Sequence, residues 1–483
     1  MNHAIIFTGA GHEVTFTRMS GAKKIANVCE SMGWEVDVVD HICRWSIDQV
    51  EQYLKQTVTP KTKWIGISYT FLAKQYDYVK NLLVYIQSQY PDLLYIVGGS
   101  SSFLETLPAD YFVSGFAENA IIKILNYEFG DGPPPMFEKR HGGRYINATR
   151  DYPAASAQSY SVEYKDTDYI TQHDVLTIEL ARGCKFKCAY CAYPFVGIKE
   201  DTSATEESIY AELMNNYQRW GTTHYITADD TLNDRTEKLI KLRNVINRLD
   251  FKPTISSYVR ADLFKAHPEH LELLAECNVI GQFYGIETFH HKAGQIIGKG
   301  MNPDTMKQVL IDSKEYFTKN MDIYRGFTSF IIGLPYETEE SIWNTVEWLN
   351  NNWSDQAANF HTLIVALEGE YVSAMGQNLS KYGYSCQPHA LRPTGQMFDK
   401  NMIDWTSPWL TNERALSIRP TILNALKLKK VSPFALQNYI AAIGMNKFKV
   451  LEERGINDLN TLYMNEYNKH VDTYITNKLN SRL

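Results

Sequence analysis

The chain has no apolar stretch near the roughly 20 residues that a membrane helix needs. Residues 1–13 hold too short an apolar run for a signal peptide, so cytoplasm is the expected compartment and no membrane partner is expected. Basic residues are not in excess. Lys and Arg number 48 against 55 Asp and Glu, a net charge of −7, which leaves no electrostatic footprint for nucleic acid. Cysteine is scarce, at seven of 483 residues, and Cys29, Cys43, Cys277 and Cys386 are scattered. That excludes a disulfide framework and gives no sign of a second metal cluster. The first glycine loop, residues 8–12, lacks G-x-G-x-x-G, so it gives little support for a dinucleotide site.

What is present is an ordinary globular balance, 44% hydrophobic and 21% charged, with length for two or three domains. Aromatics make up 13%, with 31 tyrosines, and are read as packing rather than as a substrate cage. The three remaining cysteines, Cys184, Cys188 and Cys191, fall within eight residues as C-x3-C-x2-C. They follow a run of β-formers at 175–180, on a loop leaving a strand's carboxyl end. Three thiolates without a nearby fourth ligand suit an iron–sulfur cube with one iron left open. Structural zinc prefers four protein ligands, and this loop contains no histidine. On spacing alone, zinc and buried inert thiols remain the alternatives.

Strand signals at 4–7, 36–39, 64–68, 93–97 and 111–113 alternate with helical patterns at 18–32, 47–56, 75–89 and 118–127. Such units predict a doubly wound, Rossmann-like parallel sheet over residues 1–130, with ligands beyond the strands' carboxyl ends. Those ends carry Gly98, Gly99 and Ser100, and then Gly115, a rim suited to a phosphate or a cofactor tail. The run Gly130-Asp131-Gly132-Pro133-Pro134-Pro135 closes the domain, and 131–170 reads as a surface linker. A second series has strands at 175–180, 224–227, 254–258, 280–284, 328–332 and 361–365. Its helices are expected at 205–219, 236–249, 268–276, 303–316 and 339–350. Six units predict an open (βα)6 partial TIM barrel over 171–367, whose chemistry gathers at the carboxyl ends. Residues 368–483 read as a mainly helical C-terminal cap in which Trp405 and Trp409 are core residues or part of the cap.

The cysteine pattern, with Tyr190 just before its last cysteine, resembles the signature of radical S-adenosylmethionine (SAM) enzymes. The strand-end segments extend that resemblance over roughly 190 residues and remove most of the zinc alternative. Gly285-Ile286-Glu287-Thr288 matches the family's G-I-E segment, and 333–338 resembles its G-L-P-G-E-T with Tyr336 in place of a glycine. The resemblance implies a [4Fe–4S] cluster on the three cysteines, whose open iron binds SAM and which cleaves it to a 5′-deoxyadenosyl radical. It places Asp229 or Asp230 at the SAM amino group, with a helix N-cap as the equal reading. Arg260 is expected at the SAM carboxylate or in a structural ion pair. Glu287 is assigned to the ribose and Gly333 lies beside adenine.

The first domain is similar to the cobalamin-binding domain preceding some radical SAM cores. Cobalt-ligating modules carry D-x-H-x-x-G, whereas here the matching positions are Ala10, His12 and Thr15. No histidine is therefore expected on cobalt, and His12 is read chiefly as a surface or second-shell residue. Methylthiolation is disfavoured, because only Cys29 and Cys43 lie in this domain. The expected activity is hydrogen abstraction from an unactivated carbon for cobalamin-dependent methyl transfer. The substrate is expected to be a small or natural-product-like molecule, and the electron to come from flavodoxin or ferredoxin. A cobalamin-independent rearrangement, dehydrogenation or ring chemistry, and a non-catalytic iron–sulfur sensor, are the alternatives.

Overall fold

The computed structural model describes residues 1–10, 14–99, 107–140, 142–153, 161–191, 203–364, 373–386, 404–428 and 430–481. Two parallel sheets organise them, and two compact units result. One comprises Met1–Ile178, Glu212–Thr222 and Tyr439–Leu483; the other comprises Glu179–Ala211 and Thr223–Asn438.

The first sheet has strands β1 (His3–Phe7), β2 (Glu35–Val39), β3 (Thr62–Ser68), β4 (Leu94–Gly99), β5 (Tyr111–Ser114), β6 (Glu138–Arg140) and β7 (Gly143–Asn147). Their order is β2-β1-β3-β4-β5-β7-β6. All pairs are parallel except β6 with β7. All five residues of β1 are buried, as expected for an inner parallel strand covered on both faces. Helices Ser20–Ser31 and Glu118–Phe129 contribute Ala22, Ala26, Ile121 and Ile124 to a core shared with Ile6, Trp64 and Val113. The strand order reverses between β1 and β3, so the crevice beyond Phe7 and Ser68 is the expected ligand position of such a sheet.

Residues 131–170 differ from the linker expected of them, because β6 and β7 extend the sheet to seven strands. Glu138, Lys139 and Arg140 carry no apolar signature because they form an exposed edge. Arg140 lies over the Tyr145 ring at 3.9 Å.

The second sheet runs β13-β12-β11-β10-β9-β8, each strand beside its sequence neighbour. Its members are β8 (Val175–Ile178), β9 (His224–Thr227), β10 (Thr254–Val259), β11 (Val279–Glu287), β12 (Arg325–Ile332) and β13 (Ala357–Thr362). Sequential parallel order with helical crossovers is the open six-stranded barrel. The last strand lies N-terminal to the expected 361–365, since Ala357-Ala358-Asn359 pairs with Phe327-Thr328-Ser329 without an apolar pattern of its own. Gln437, buried, donates to the carbonyls of Thr254 (2.8 Å) and Tyr225 (3.3 Å), which fastens helix Pro433–Ile443 to the amino ends of β9 and β10.

The C-terminal region is not one cap. Helix Asn412–Ala425 belongs with the barrel, whereas residues from Tyr439 onward, including all of helix Ile456–Asn480, belong with the first sheet. Tyr474 supplies the anchor there, donating to the Val38 carbonyl at 3.5 Å and accepting from the Asp40 amide at 2.8 Å. Among the described residues, no helix is long and apolar enough to cross a membrane.

Candidate active site

Strand β8 runs directly into the cysteine loop, and the loop is pinned by backbone at its centre. The Ala189 amide donates to the Ile297 carbonyl at 3.0 Å, and the Ala189 carbonyl accepts from the Met375 amide at 2.9 Å. Cys184, Cys188 and Cys191 form no disulfide, and each is half-buried. Cys184 Sγ lies 3.7 Å from the Thr231 hydroxyl, and Arg260 donates to Cys188 Sγ at 3.8 Å. Three sulfurs on one tethered loop, none of them in a disulfide, are a donor set that fits a thiolate-ligated cluster.

Three strand ends meet this loop. At the end of β11, Glu287 Oε1 accepts from the Tyr190 hydroxyl at 2.7 Å, with Lys299 Nζ 4.0 Å away. Burial raises the Glu287 carboxyl above its ordinary value, while Lys299 draws it back. Glu287 adopts φ 69°, left-handed for a side-chain-bearing residue, where the β11–β12 register shifts. Such a conformation costs about 1–2 kcal/mol, and the tether to the loop holds it there.

After β10, Arg260 stacks 3.7 Å over the Phe186 ring and forks onto Asp262, with Nε–Oδ1 at 2.9 Å. Asn233 fixes its backbone by a reciprocal pair at 2.8 and 3.0 Å. The bidentate face of Arg260 is thus occupied by Asp262, an ion pair within its own turn. After β9, Asp229 is buried and accepts from the Leu180 amide at 2.9 Å and Lys238 Nζ at 3.1 Å. Burial raises its carboxyl, and Lys238 and the amide oppose that. Asp229 therefore fastens the chain leaving β8 to β9, while half-buried Asp230 adjoins Thr231 beside Cys184.

The loop after β12 holds the remaining barrel positions. Gly333 has φ 104°, and a Cβ there would meet the Trp405 ring at 2.3 Å. Its carbonyl accepts from Tyr384 at 2.7 Å, so Gly333 is enclosed by side chains of its own unit. Trp405 is 1% exposed and is a core residue. Tyr336 explains the family's glycine, because the position has φ 67°. The substitution is accommodated by ring contact with Trp409 at 4.3 Å and with Lys292 Nζ at 3.6 Å.

Glu337 is a buried residue that the sequence did not single out. Burial pushes its carboxyl up to about 8, against hydrogen bonds from Thr288 (2.7 Å) and the amides of Gly333 and Leu334. The folded state thus binds a proton that the unfolded chain releases near 4.3. Stability from this group is full below that value and is lost as pH rises toward 8 and beyond. We expect the melting temperature of Glu337→Gln, relative to wild type, to rise steadily between pH 5 and 8. The corresponding stability difference should change by up to about 1.4 kcal/mol per pH unit; a pH-independent difference would overturn the assignment.

In the first sheet, Gly99 and Gly115 have positive φ, and Cβ atoms there would meet Thr70 Oγ1 at 2.6 Å and Thr149 Oγ1 at 2.2 Å. Gly98 would touch only the Val113 carbonyl, at 3.6 Å. Two of the rim glycines thus serve the close approach of the protein's own threonines. Ser100 and His12 lie outside the described residues. The buried hydroxyls of Thr8, beyond β1, and Thr149, beyond β7, have no partner among the described residues. Unspent polar groups at the carboxyl edge fit a polar ligand there.

Sequence reasoning missed Lys238, Asn233, Asp262, Lys299 and Glu337. A carboxylate two residues after Arg260 was the one legible signal; the others are brought in by separate elements.

Comparison with known proteins agrees with this geometry. The profile of the Radical SAM superfamily matches residues 178–349. By sequence, no curated protein matches the chain. Among solved structures, it is similar to the radical S-adenosylmethionine methyltransferase TsrM from Kitasatospora setae with cobalamin and [4Fe-4S] cluster bound. The TM-score is 0.64 at 13% identity, over 98% of this chain and 100% of that one. TsrM with tryptophan substrate and a SAM analogue gives a TM-score of 0.66 at 13% identity, over 91% and 96%. The cobalamin-dependent S-adenosylmethionine radical enzyme OxsB with aqua-cobalamin bound gives 0.62 at 11% identity, over 99% and 83%. At such identities the likeness is one of fold, and it runs the whole length of this chain. The chain thus carries a Radical SAM domain over residues 178–349, and its two-sheet fold is similar from end to end to those of TsrM and OxsB.

Proposed function

We propose that the chain transfers a methyl group to an unactivated carbon of a small, natural-product-like molecule, using a [4Fe–4S] cluster, SAM and cobalamin. The observation that carries this reading is the full-length fold likeness to cobalamin-bound radical SAM proteins. The buried Thr8 and Thr149 hydroxyls at the carboxyl edge of the first sheet, without a partner among the described residues, support it. When bound, these cofactors supply hydrogen abstraction and a methyl carrier, and the protein's share is positioning and shielding.

Cys184, Cys188 and Cys191 hold the cluster. Arg260, stacked on Phe186 and directed at Cys188, keeps the loop in place. Asp230 serves the SAM amino group in preference to Asp229, whose oxygens are spent on Leu180 and Lys238. Glu287, oriented by Tyr190, serves the ribose. The electron comes from an external one-electron donor of the flavodoxin or ferredoxin class.

Glu287→Ala should weaken SAM binding by roughly 1.5–3 kcal/mol, the loss of a charge-assisted contact, whereas Asp229→Ala should lower stability instead. Expression with added cobalamin, followed by visible absorbance of the purified protein, tests the corrinoid. Methyl-labelled SAM then tests transfer to product. A colourless protein under saturating supply moves the assignment to cobalamin-independent radical chemistry, and absence of 5′-deoxyadenosine moves it to a sensor.

A further inference from the structure

Away from the cysteine loop, the turn between β10 and helix Glu269–Glu276 gathers His267, Glu269 and His270. Each offers one ligand atom, and these atoms lie within 4.8 Å of one another. The His267 and His270 rings stack with centroids 5.0 Å apart, and His267 Nδ1 is 3.3 Å from Glu269 Oε1. The second observation lies in His270, which is 1% exposed. Its Nε2 is 2.9 Å from the Thr236 hydroxyl, while its Nδ1 is buried with no partner among the described residues. With a metal ion on Nδ1, Nε2 carries the proton and the Thr236 hydroxyl is placed to accept it. An outer partner on the far ring nitrogen is the usual arrangement behind a metal-bound histidine. A buried imidazole nitrogen left unpaired is otherwise costly.

We propose that His267, Glu269 and His270 form a second, mononuclear site for a first-row divalent cation, of which Zn2+ is the best match. Two imidazoles and one carboxylate are the ligand types zinc takes, and a three-ligand set leaves one position for water. His267 and Glu269 side chains are 45% and 49% exposed, which gives the ion its entry path and keeps that water position open. Hard cations such as Mg2+ are disfavoured by the two nitrogen donors. The bound ion ties the helix start to the turn that begins at Arg260, and Thr236 links it to helix Thr236–Ile246. This site stands independently of the proposed reaction.

The test uses full-length protein in which Cys184, Cys188 and Cys191 are all alanine, so that the loop cannot take up the ion. After chelator treatment, Co2+ is titrated and followed by its visible d–d bands, and Zn2+ then competes for the site. One equivalent should bind, and Zn2+ should displace it. His267→Gln and Glu269→Gln change exposed side chains, so the fold should survive, as circular dichroism will report. Each should weaken binding at least tenfold. Thr236→Val removes no ligand yet should also weaken it by about tenfold, through the lost support of His270. His173→Gln, on the other compact unit, is the control and should change nothing. No uptake by the parent protein, or uptake unchanged in His267→Gln and Glu269→Gln, overturns the proposal.

Discussion

Replacing Cys184, Cys188 or Cys191 by alanine should leave a folded protein that assembles no [4Fe–4S] cluster and forms no 5′-deoxyadenosine. The loss should be complete to background, because three thiolates are the minimum that leaves one iron open for SAM. Folding should be nearly untouched. The thiols are half-buried, and the contacts of Cys184 and Cys188 at 3.7 and 3.8 Å are weak, so each is worth less than about 1 kcal/mol. The loop is held instead by backbone bonds at Ala189 and by the Tyr190–Glu287 pair. Cys29→Ala and Cys277→Ala, at fully buried positions, should show the opposite pattern of normal cluster content and some lost stability. Iron and sulfide content after anaerobic reconstitution, with chromatography of the SAM cleavage products, reads both outcomes. Stoichiometric zinc without iron absorbance in the wild-type protein would sink the assignment.

A second large effect is expected at a buried ion pair of the first unit. Asp174 is fully buried, 2.8 Å from Arg18 Nε and 3.2 Å from His470 Nε2. Arg18 also reaches Asp40 at 3.3 Å and the carbonyls of Asp168 and Tyr169, with its guanidinium 4.7 Å over Tyr474. Burial by itself would raise the Asp174 carboxyl, but Arg18 and then His470 hold it well below the usual carboxylate range. Asp174→Ala leaves the buried guanidinium with Asp40, at 3.3 Å, as its remaining carboxylate and should cost about 3–5 kcal/mol, roughly 10 °C in melting temperature. Because the folded value lies below the unfolded one, this contribution is whole above about pH 4 and declines as pH falls further. The gap between wild type and variant should therefore be flat from pH 5 to 8 and narrow below 4. Replacing both partners, Arg18→Met with Asp174→Leu, should recover part of the loss, since neither charge is then left alone. A cost below about 1 kcal/mol for Asp174→Ala would show that water, rather than Asp174, satisfies Arg18.

The cysteine spacing, the G-I-E segment and the alternation of apolar runs with helical periods were enough to read two α/β sheets and a radical SAM core from the sequence. These features are local. A buried parallel strand must be apolar on both faces, as β1 and β5 are, and a cluster-binding loop must keep its ligands close in the chain. Tertiary structure decided what depends on partners distant in sequence. Strand β6 is an exposed edge of Glu, Lys and Arg, so only its pairing with β7 reveals it. The two neighbouring aspartates, Asp229 and Asp230, look equivalent in the chain, and the buried Lys238 with the Leu180 amide separates them. Arg260 and Asp262 are two residues apart in sequence, yet the stacking of Arg260 on Phe186 appears only when the cysteine loop folds back. The rim glycines suggest an opening, whereas the packing of Thr70 and Thr149 against Gly99 and Gly115 shows what their missing side chains make room for. Propensity and periodicity follow from the chain itself, but the partner of a buried charge or a close backbone approach is fixed by elements that meet only in the folded state.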